Sequence, residues 1–264
     1  MRTMQNIEKL LHEHELYHKK TEIISSMKNS IRMKKIKIDE EDIPIGTSKF
    51  GGLPDLPDEM EFPQYEKGSL WFIGQFNLEE IKTFDKDDLL PERGILYLFY
   101  DAYEQPWGFK EDEGCFKVLY FDGDLNELDR REYPTGDEGY LPLDTYQMIF
   151  KNIYTISESP LEFDNEDEEE NFGDFRQELI QPEDEEGNIV PAHYLLGEPF
   201  NVQNDVFEEL NINEKEAVLL FQIDSDEEDL GVMWGDCGLL YFCIKKEELK
   251  RKQFDKVKFT LQCF

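Results

Sequence analysis

The sequence predicts an α+β fold: internally duplicated, mainly antiparallel β units packed as one compact body, with an N-terminal helix. Three observations lead there. Short apolar runs rich in β-branched and aromatic residues alternate with turns marked by Gly and Pro. The strongest of those runs recur in the same order in both halves of the chain. Hydrophobic residues make up 39% of the 264 positions and include 20 Phe, 12 Tyr and 3 Trp. Aromatic side chains bury large areas, so a substantial core is expected despite a mean hydropathy of −0.65.

Residues 4–28 predict a helix, because Ile7, Leu10, Leu11, His14, Tyr17, Thr21 and Ile24 mostly recur at spacings of three and four. Residues 31–38 switch toward alternation and predict a strand. Two Gly and two Pro within 48–57 mark an ordered turn. Residues 70–77 predict a buried strand, and 78–84 a short helix capped by Asn77. Residues 95–100 are apolar on both faces, and 116–121 and 147–156 are further strands. Seven acidic side chains in 162–170 form a like-charge block that belongs in solvent, and 182–188 is a second acidic loop. The tail predicts a basic helix over 245–252 and a strand over 257–264.

After the acidic region the first pattern returns. Gly197-Glu198-Pro199 echoes Gly52-Leu53-Pro54, and Phe221-Gln222-Ile223-Asp224 echoes Gly74-Gln75-Phe76-Asn77. Gly238-Leu239-Leu240-Tyr241 echoes Gly94-Ile95-Leu96-Tyr97. Three matches in order predict a duplication, with the two units related by a pseudo-twofold axis. The expected organisation is an N-terminal helix and strand (1–44), a first β-rich repeat (45–157), an acidic seam (158–192) and a second repeat (193–264).

The formal net charge is −33. Residues 1–40 and 245–258 are mildly basic, so the remaining body carries about −40. Such a body repels nucleic acid and anionic lipid and attracts basic proteins or divalent cations. Four cysteines without a Cys-x-x-Cys pair predict reduced thiols. The N-terminus lacks the apolar stretch of a signal peptide, and no apolar run is long enough to span a membrane. A cytoplasmic location is expected.

The segments 48–57, Gly74-Gln75-Phe76-Asn77-Leu78 and Leu90-Pro91-Glu92-Arg93-Gly94-Ile95-Leu96 together resemble the YwqG-like family, a bacterial family of unknown function. So do Gly197-Glu198-Pro199, Leu220 to Asp226, and Met233-Trp234-Gly235-Asp236-Cys237-Gly238. The resemblance covers about 45–264, and Phe62 stands before Pro63 where tryptophan is expected. It implies an α+β fold rich in antiparallel strands and no established reaction. It also associates some relatives with genes for secreted toxins, which points to an immunity or accessory role.

Four groups of residues suggest chemistry. His14-Glu15-Leu16-Tyr17-His18 matches H-E-x-x-H, which on one helix turns His14 and His18 toward a zinc ion, with Glu15 as base and Glu41 or Asp42 as third ligand. The same spacing suits partly buried histidines of an ordinary helix. Asp224 and Asp226 open a carboxylate run that suits calcium, but Asp229 and Gly235 stand where an EF-hand needs Gly and Glu. Gln75, Asn77, Gln222 and Asp224 sit at matching strand ends, either facing a shared ligand cleft or satisfying buried backbone. Trp234 and Asp236 lie in a glycine-bracketed turn, as a partner anchor or as packing, and Cys237 with His193 offers a nucleophile and base. No motif names a cofactor. The expected function is an acidic binding protein that docks a basic protein partner. The alternative is a small-ligand or metal-dependent enzyme using the cleft between repeats.

Overall fold

In a computed structural model of the chain, described over residues 4–66, 68–134, 142–158, 161–184 and 186–264, ten strands join one antiparallel sheet. They are β1 (Lys28–Lys37), β2 (Lys49–Phe50), β3 (Trp71–Asn77), β4 (Ile95–Tyr100) and β5 (Phe116–Phe121). The second set is β6 (Tyr146–Thr155), β7 (Tyr194–Leu195), β8 (Ala217–Asp224), β9 (Leu239–Lys245) and β10 (Lys258–Gln262). Their spatial order is β5-β4-β3-β2-β6-β1-β7-β8-β9-β10. The first strand of each set therefore crosses over. β1 pairs with β7, β6 pairs with β2, and β1 and β6 pair with each other from Lys28↔Thr155 to Lys37↔Tyr146.

Ile31 and Met33 of β1 and Met148 of β6 point into the largest apolar cluster, with Phe50, Phe76, Leu98, Phe221 and Phe242. Each such side chain contributes about 1.5–3 kcal/mol on burial. The sheet curls around this cluster and nearly closes. Phe76 meets Phe221 at 4.4 Å between ring centroids, and Phe116 on edge strand β5 lies 5.2 Å from Phe259 on edge strand β10. A register shift in β3 between Phe72 and Gly74, and another in β8 between Leu219 and Phe221, sharpen the local twist. Smaller clusters cover the outside of the sheet.

The helices are α1 (Met4–Glu13), α2 (Lys20–Ser26), α3 (Leu78–Ile81), α4 (Glu166–Ile180), α5 (Val206–Glu209) and α6 (Lys246–Lys250). Asn77 caps α3 as expected, its side chain accepting from Glu79 N at 3.0 Å. The single helix expected over 4–28 is interrupted. Glu15 adopts φ 58°, Leu16 N donates to Leu11 O at 2.8 Å, and Glu15 N donates to His12 O at 3.2 Å. These two bonds close a Schellman motif with glutamate in the left-handed position that glycine usually holds. Leu16, fully buried, supplies the apolar contact that drives the break.

The acidic block at 162–170 lies at the surface as expected, with only Glu168 among its acidic residues half-buried, but from Glu166 it is helix and not loop. It runs into α4, capped by Asn165, whose side chain accepts from Glu168 N at 3.0 Å. Glu166, Asp167, Glu168 and Glu169 fill the first turn, where the helix dipole favours carboxylates. Phe172, Phe175 and Leu179 then pack against α1 residues Ile7, Leu10 and Leu11. No helix among the described residues is long and apolar enough to cross a membrane.

Left-handed backbone strains a non-glycine residue by about 1–2 kcal/mol, and Glu15 is exposed. Glu15→Gly is therefore expected to stabilise the protein by about 1 kcal/mol, after allowance for the extra freedom of glycine in the unfolded chain. Chemical denaturation of the two proteins measures it.

Candidate functional site

Gln75 and Gln222 do not look toward one another. Each is fully buried on the outer side of the sheet, opposite Tyr97 in β4 and Tyr241 in β9 respectively. Those tyrosines belong to separate outer clusters. The two amides make matching bonds. Gln75 Nε2 donates to Thr47 O at 2.9 Å and its Oε1 accepts from Asp55 N at 2.9 Å. Gln222 Nε2 donates to Ala192 O at 3.0 Å and its Oε1 accepts from Phe200 N at 2.8 Å. Tyr97 and Tyr241 hydroxyls in turn donate to Asp55 O and Phe200 O, each at 2.6 Å. Each glutamine thus ties the loop after a short strand to its neighbour, and no polar atom of the pair is left for a shared cleft.

Asn77 and Asp224 likewise serve the backbone. Asn77 Nδ2 donates to Gly46 O at 2.9 Å, and Asp224 Oδ2 accepts from Ala192 N at 2.7 Å and Gln181 Nε2 at 2.9 Å. Burial raises the Asp224 carboxyl above its usual value, against the Ala192 hydrogen bond. His193 lies beside it, 1% exposed. Its Nδ1 accepts from Asp224 N at 3.1 Å, so its proton sits on Nε2, which donates to Asp226 Oδ2 at 2.9 Å. Lys35 completes the group by pairing with Asp226 and, at 2.7 Å, with Asp229. Burial alone would raise the Asp226 carboxyl, but the His193 hydrogen bond and the Lys35 ammonium outweigh it and hold it down to about 2. The Asp226 oxygens therefore meet protein donors. Cys237 is exposed beside Met233, with Sγ 4.0 Å from Sδ, while the Nε2 of His193 is engaged by Asp226. Cys237 and His193 are not brought together.

The break at Glu15 separates the H-E-x-x-H histidines. His14 Nε2 meets Glu178 at 3.1 Å and His18 Nε2 meets Glu168 at 2.9 Å, two glutamates ten residues apart on α4. They do not share a helix face, which corrects the geometry expected of the motif. Among the described residues, no three His, Cys, Asp or Glu side chains gather as a metal site needs.

One ionic group escaped sequence reasoning. Lys49 is fully buried, with Nζ 2.9 Å from Glu40 Oε1 and 3.6 Å from Asp55 Oδ1. Arg130 Nε reaches the same Asp55 oxygen at 2.9 Å, and its other nitrogens bond Glu40 O and Ile43 O. Burial pulls the Lys49 ammonium below its usual value, and the Asp55 and Glu40 carboxylates oppose that pull. The partners at 40, 55 and 130 are too far apart in sequence to signal one another. Lys49 follows Thr47 and Ser48 in the sequence, so its neighbours do not mark it as buried.

The exposed apolar residues gather elsewhere. Trp234 is fully buried, its indole nitrogen donating to Asp224 O at 3.0 Å, so it packs and does not reach a partner. Its neighbours do reach solvent. The loop after β4 exposes Tyr103 (76%), Trp107 (37%) and Phe109 (57%), and the turn after β8 exposes Met233 (39%). Gln105 joins the two segments, donating to Met233 O at 3.0 Å and accepting from Gly235 N at 2.8 Å. Trp107 O accepts from Leu261 N of β10 at 3.2 Å, and Trp107 and Phe109 lie parallel with centroids 6.4 Å apart. Gly108, at φ +89°, lets the loop lie on Phe259, where a Cβ would collide with its carbonyl oxygen. Glu104, Glu111, Glu113 and Asp236 are exposed around these side chains.

A family model described as Domain of unknown function (DUF1963) matches residues 48–263. The chain belongs to the DUF1963 family. No curated protein matches it. The matched span of this DUF1963 protein begins at Ser48 and so leaves out β1, although β1 holds the centre of the sheet.

Two outcomes follow for the buried groups of the DUF1963 domain. The Asp226 carboxyl sits below the usual 3.8, so its contribution is full above about pH 4 and fades as pH falls through about 2. Asp226→Asn is expected to remove about 2 kcal/mol at pH 7, and the difference from wild type should shrink between pH 4 and pH 2. Urea denaturation across that range tests it. Gln222→Leu leaves the Phe200 N–H and the Ala192 carbonyl unpaired. It is expected to destabilise by about 2–4 kcal/mol, read in the same assay.

Proposed function

We propose that this DUF1963 protein is a non-enzymatic docking protein that seats a basic protein partner on the loops after β4 and β8. The observation that carries the reading is the gathering of Tyr103, Trp107, Phe109 and Met233 at the surface of two bonded loops in a chain of net charge −33. Large exposed apolar side chains rimmed by charge are the usual make-up of binding hot spots. The segment 101–114 holds five acidic residues and one basic one, so the rim complements a cationic surface. The groups that resemble catalytic ones support the same reading, because His193, Asp224 and Asp226 are buried and engaged with one another.

The reading includes finer assignments. The two halves are taken as copies of one unit, supported by the matching bonds of Gln75 and Gln222. The chain is placed among the YwqG-like members and in the cytoplasm, with an immunity or accessory role. The docking loops differ between the copies: the β4–β5 connection carries the aromatics, whereas the β9–β10 connection carries α6.

The test is capture from a lysate of the source cell at low and high salt, with Trp107→Ala/Phe109→Ala in parallel. One basic protein near equal stoichiometry, released by salt and lost with the double variant at unchanged Tm, is expected. Truncating such anchors weakens binding by about 2 kcal/mol or more. Capture that ignores both salt and the double variant, or capture of no basic protein, refutes the reading.

A further inference from the structure

Beside Phe109 the loop after β4 borders a cavity of about 570 Å³. One wall is the loop itself, residues 108–116, and the other is the end of α5, residues 209–211. Strand β10 and the residue before it form the floor. Phe116, Leu210, Val257 and Phe259 give the space an apolar lining, and the last three are buried in the fold. The volume is of the size that small-ligand sites have, about 300–1,000 Å³.

Glu209 supplies a fixed charge at this cavity. Its Oε2 accepts from Gln262 Nε2 at 2.9 Å, and its Oε1 accepts from the Thr260 hydroxyl. Both donors are buried, and Gln262 is itself locked by bonds to Val202 N, Gln203 N and Asn204 O. A glutamate at the surface thus carries an anchored carboxylate, and each of its oxygens keeps a second lone pair. Lys258, which also lines the space, turns its ammonium to the Leu210 and Asn211 carbonyls, at 2.5 and 3.4 Å. The cavity lies between two acidic segments. Residues 101–114 and 205–216 each hold five carboxylates and one lysine.

We propose that this cavity seats an arginine side chain of the basic partner, an inference that rests on the docking reading. The arginine stem covers the apolar lining formed by Leu210, Val257 and Phe259. Its guanidinium donates to Glu209, and the exposed Phe109 ring stacks on the planar group. An uncharged side chain of the same shape forfeits the charge-assisted bonds to Glu209. Lysine keeps the charge but forfeits the planar stacking and the forked donors, and its ammonium is more strongly hydrated.

The probe is acetyl-Ala-Arg-Ala-amide, titrated calorimetrically into the full chain at about 0.15 M salt. The same peptide with lysine, and with citrulline as the uncharged isostere of arginine, is titrated beside it. Saturable binding of the arginine peptide is expected, weakened about tenfold or more with citrulline and about threefold or more with lysine. Glu209→Gln should weaken the arginine peptide about tenfold. Phe109→Ala, at an exposed position, keeps the test decisive if Glu209→Gln disturbs β10: it should remove the preference for arginine over lysine at unchanged Tm. No saturable binding of the arginine peptide up to about 10 mM, equal binding of the citrulline or lysine form, or arginine binding unchanged by both substitutions overturns the proposal. The titration needs no lysate, so the two readings fail separately. Absent arginine binding beside salt-released capture ends this proposal and leaves the docking reading, whereas failed capture beside arginine binding ends the docking reading.

Discussion

The ladder between β1 and β6 is the constraint on which the rest of the molecule depends. It runs the full length of both strands and places the first strand of each set at the centre of the sheet. Each then hands over to the second strand of the other set. Neither half has a complete sheet without its counterpart. Much of the ordering entropy must be offset by contacts distant in sequence, as between residues 28 and 155. The span that defines the DUF1963 match begins after β1, so the matched residues alone lack the sheet's middle.

Burial of charge obeys one logic throughout. Among the described residues most acidic side chains are exposed or half-buried, and each buried one has a donor on at least one oxygen, although Asp85 keeps Oδ1 unpaired while its Oδ2 accepts from Leu90 N. Asp55 meets Arg130 and Lys49, Asp224 meets backbone and Gln181, and Asp226 meets His193 and Lys35. These groups have the composition of catalytic sites, yet their lone pairs are directed at the protein itself. They join strands to loops at both ends of the sheet, and so hold the loops in fixed positions.

Rigid loops on such a frame are where recognition is built. The aromatic loop after β4 is anchored at Gln105 to the turn after β8 and at Trp107 to β10. Its side chains are exposed while its backbone is held, which lowers the entropy lost when a partner binds.

The sequence by itself determined the local structure wherever one pattern dominated. The strands at 71–77, 95–100, 217–224 and 239–245 were legible because their apolar runs are bounded by turn residues, and Asn77 as a cap because it precedes a short apolar-acidic turn. The matching places of Gln75 and Gln222, each opposite a tyrosine of the next strand, were legible in the sequence, and so was the charge from simple counting. Only the tertiary structure decided the rest. It broke the N-terminal helix at Glu15, because burying Leu16 outweighed continued helical bonds. It turned the acidic block into α4, because Phe172, Phe175 and Leu179 found α1 to pack against. It buried Trp234 and left Trp107 exposed, two residues that look alike in sequence. Pairings such as Lys49 with Arg130 through Asp55, or Arg32 beside Lys151, join residues that no local period connects. Such contacts exist only once the sheet has curled and its first strands have crossed.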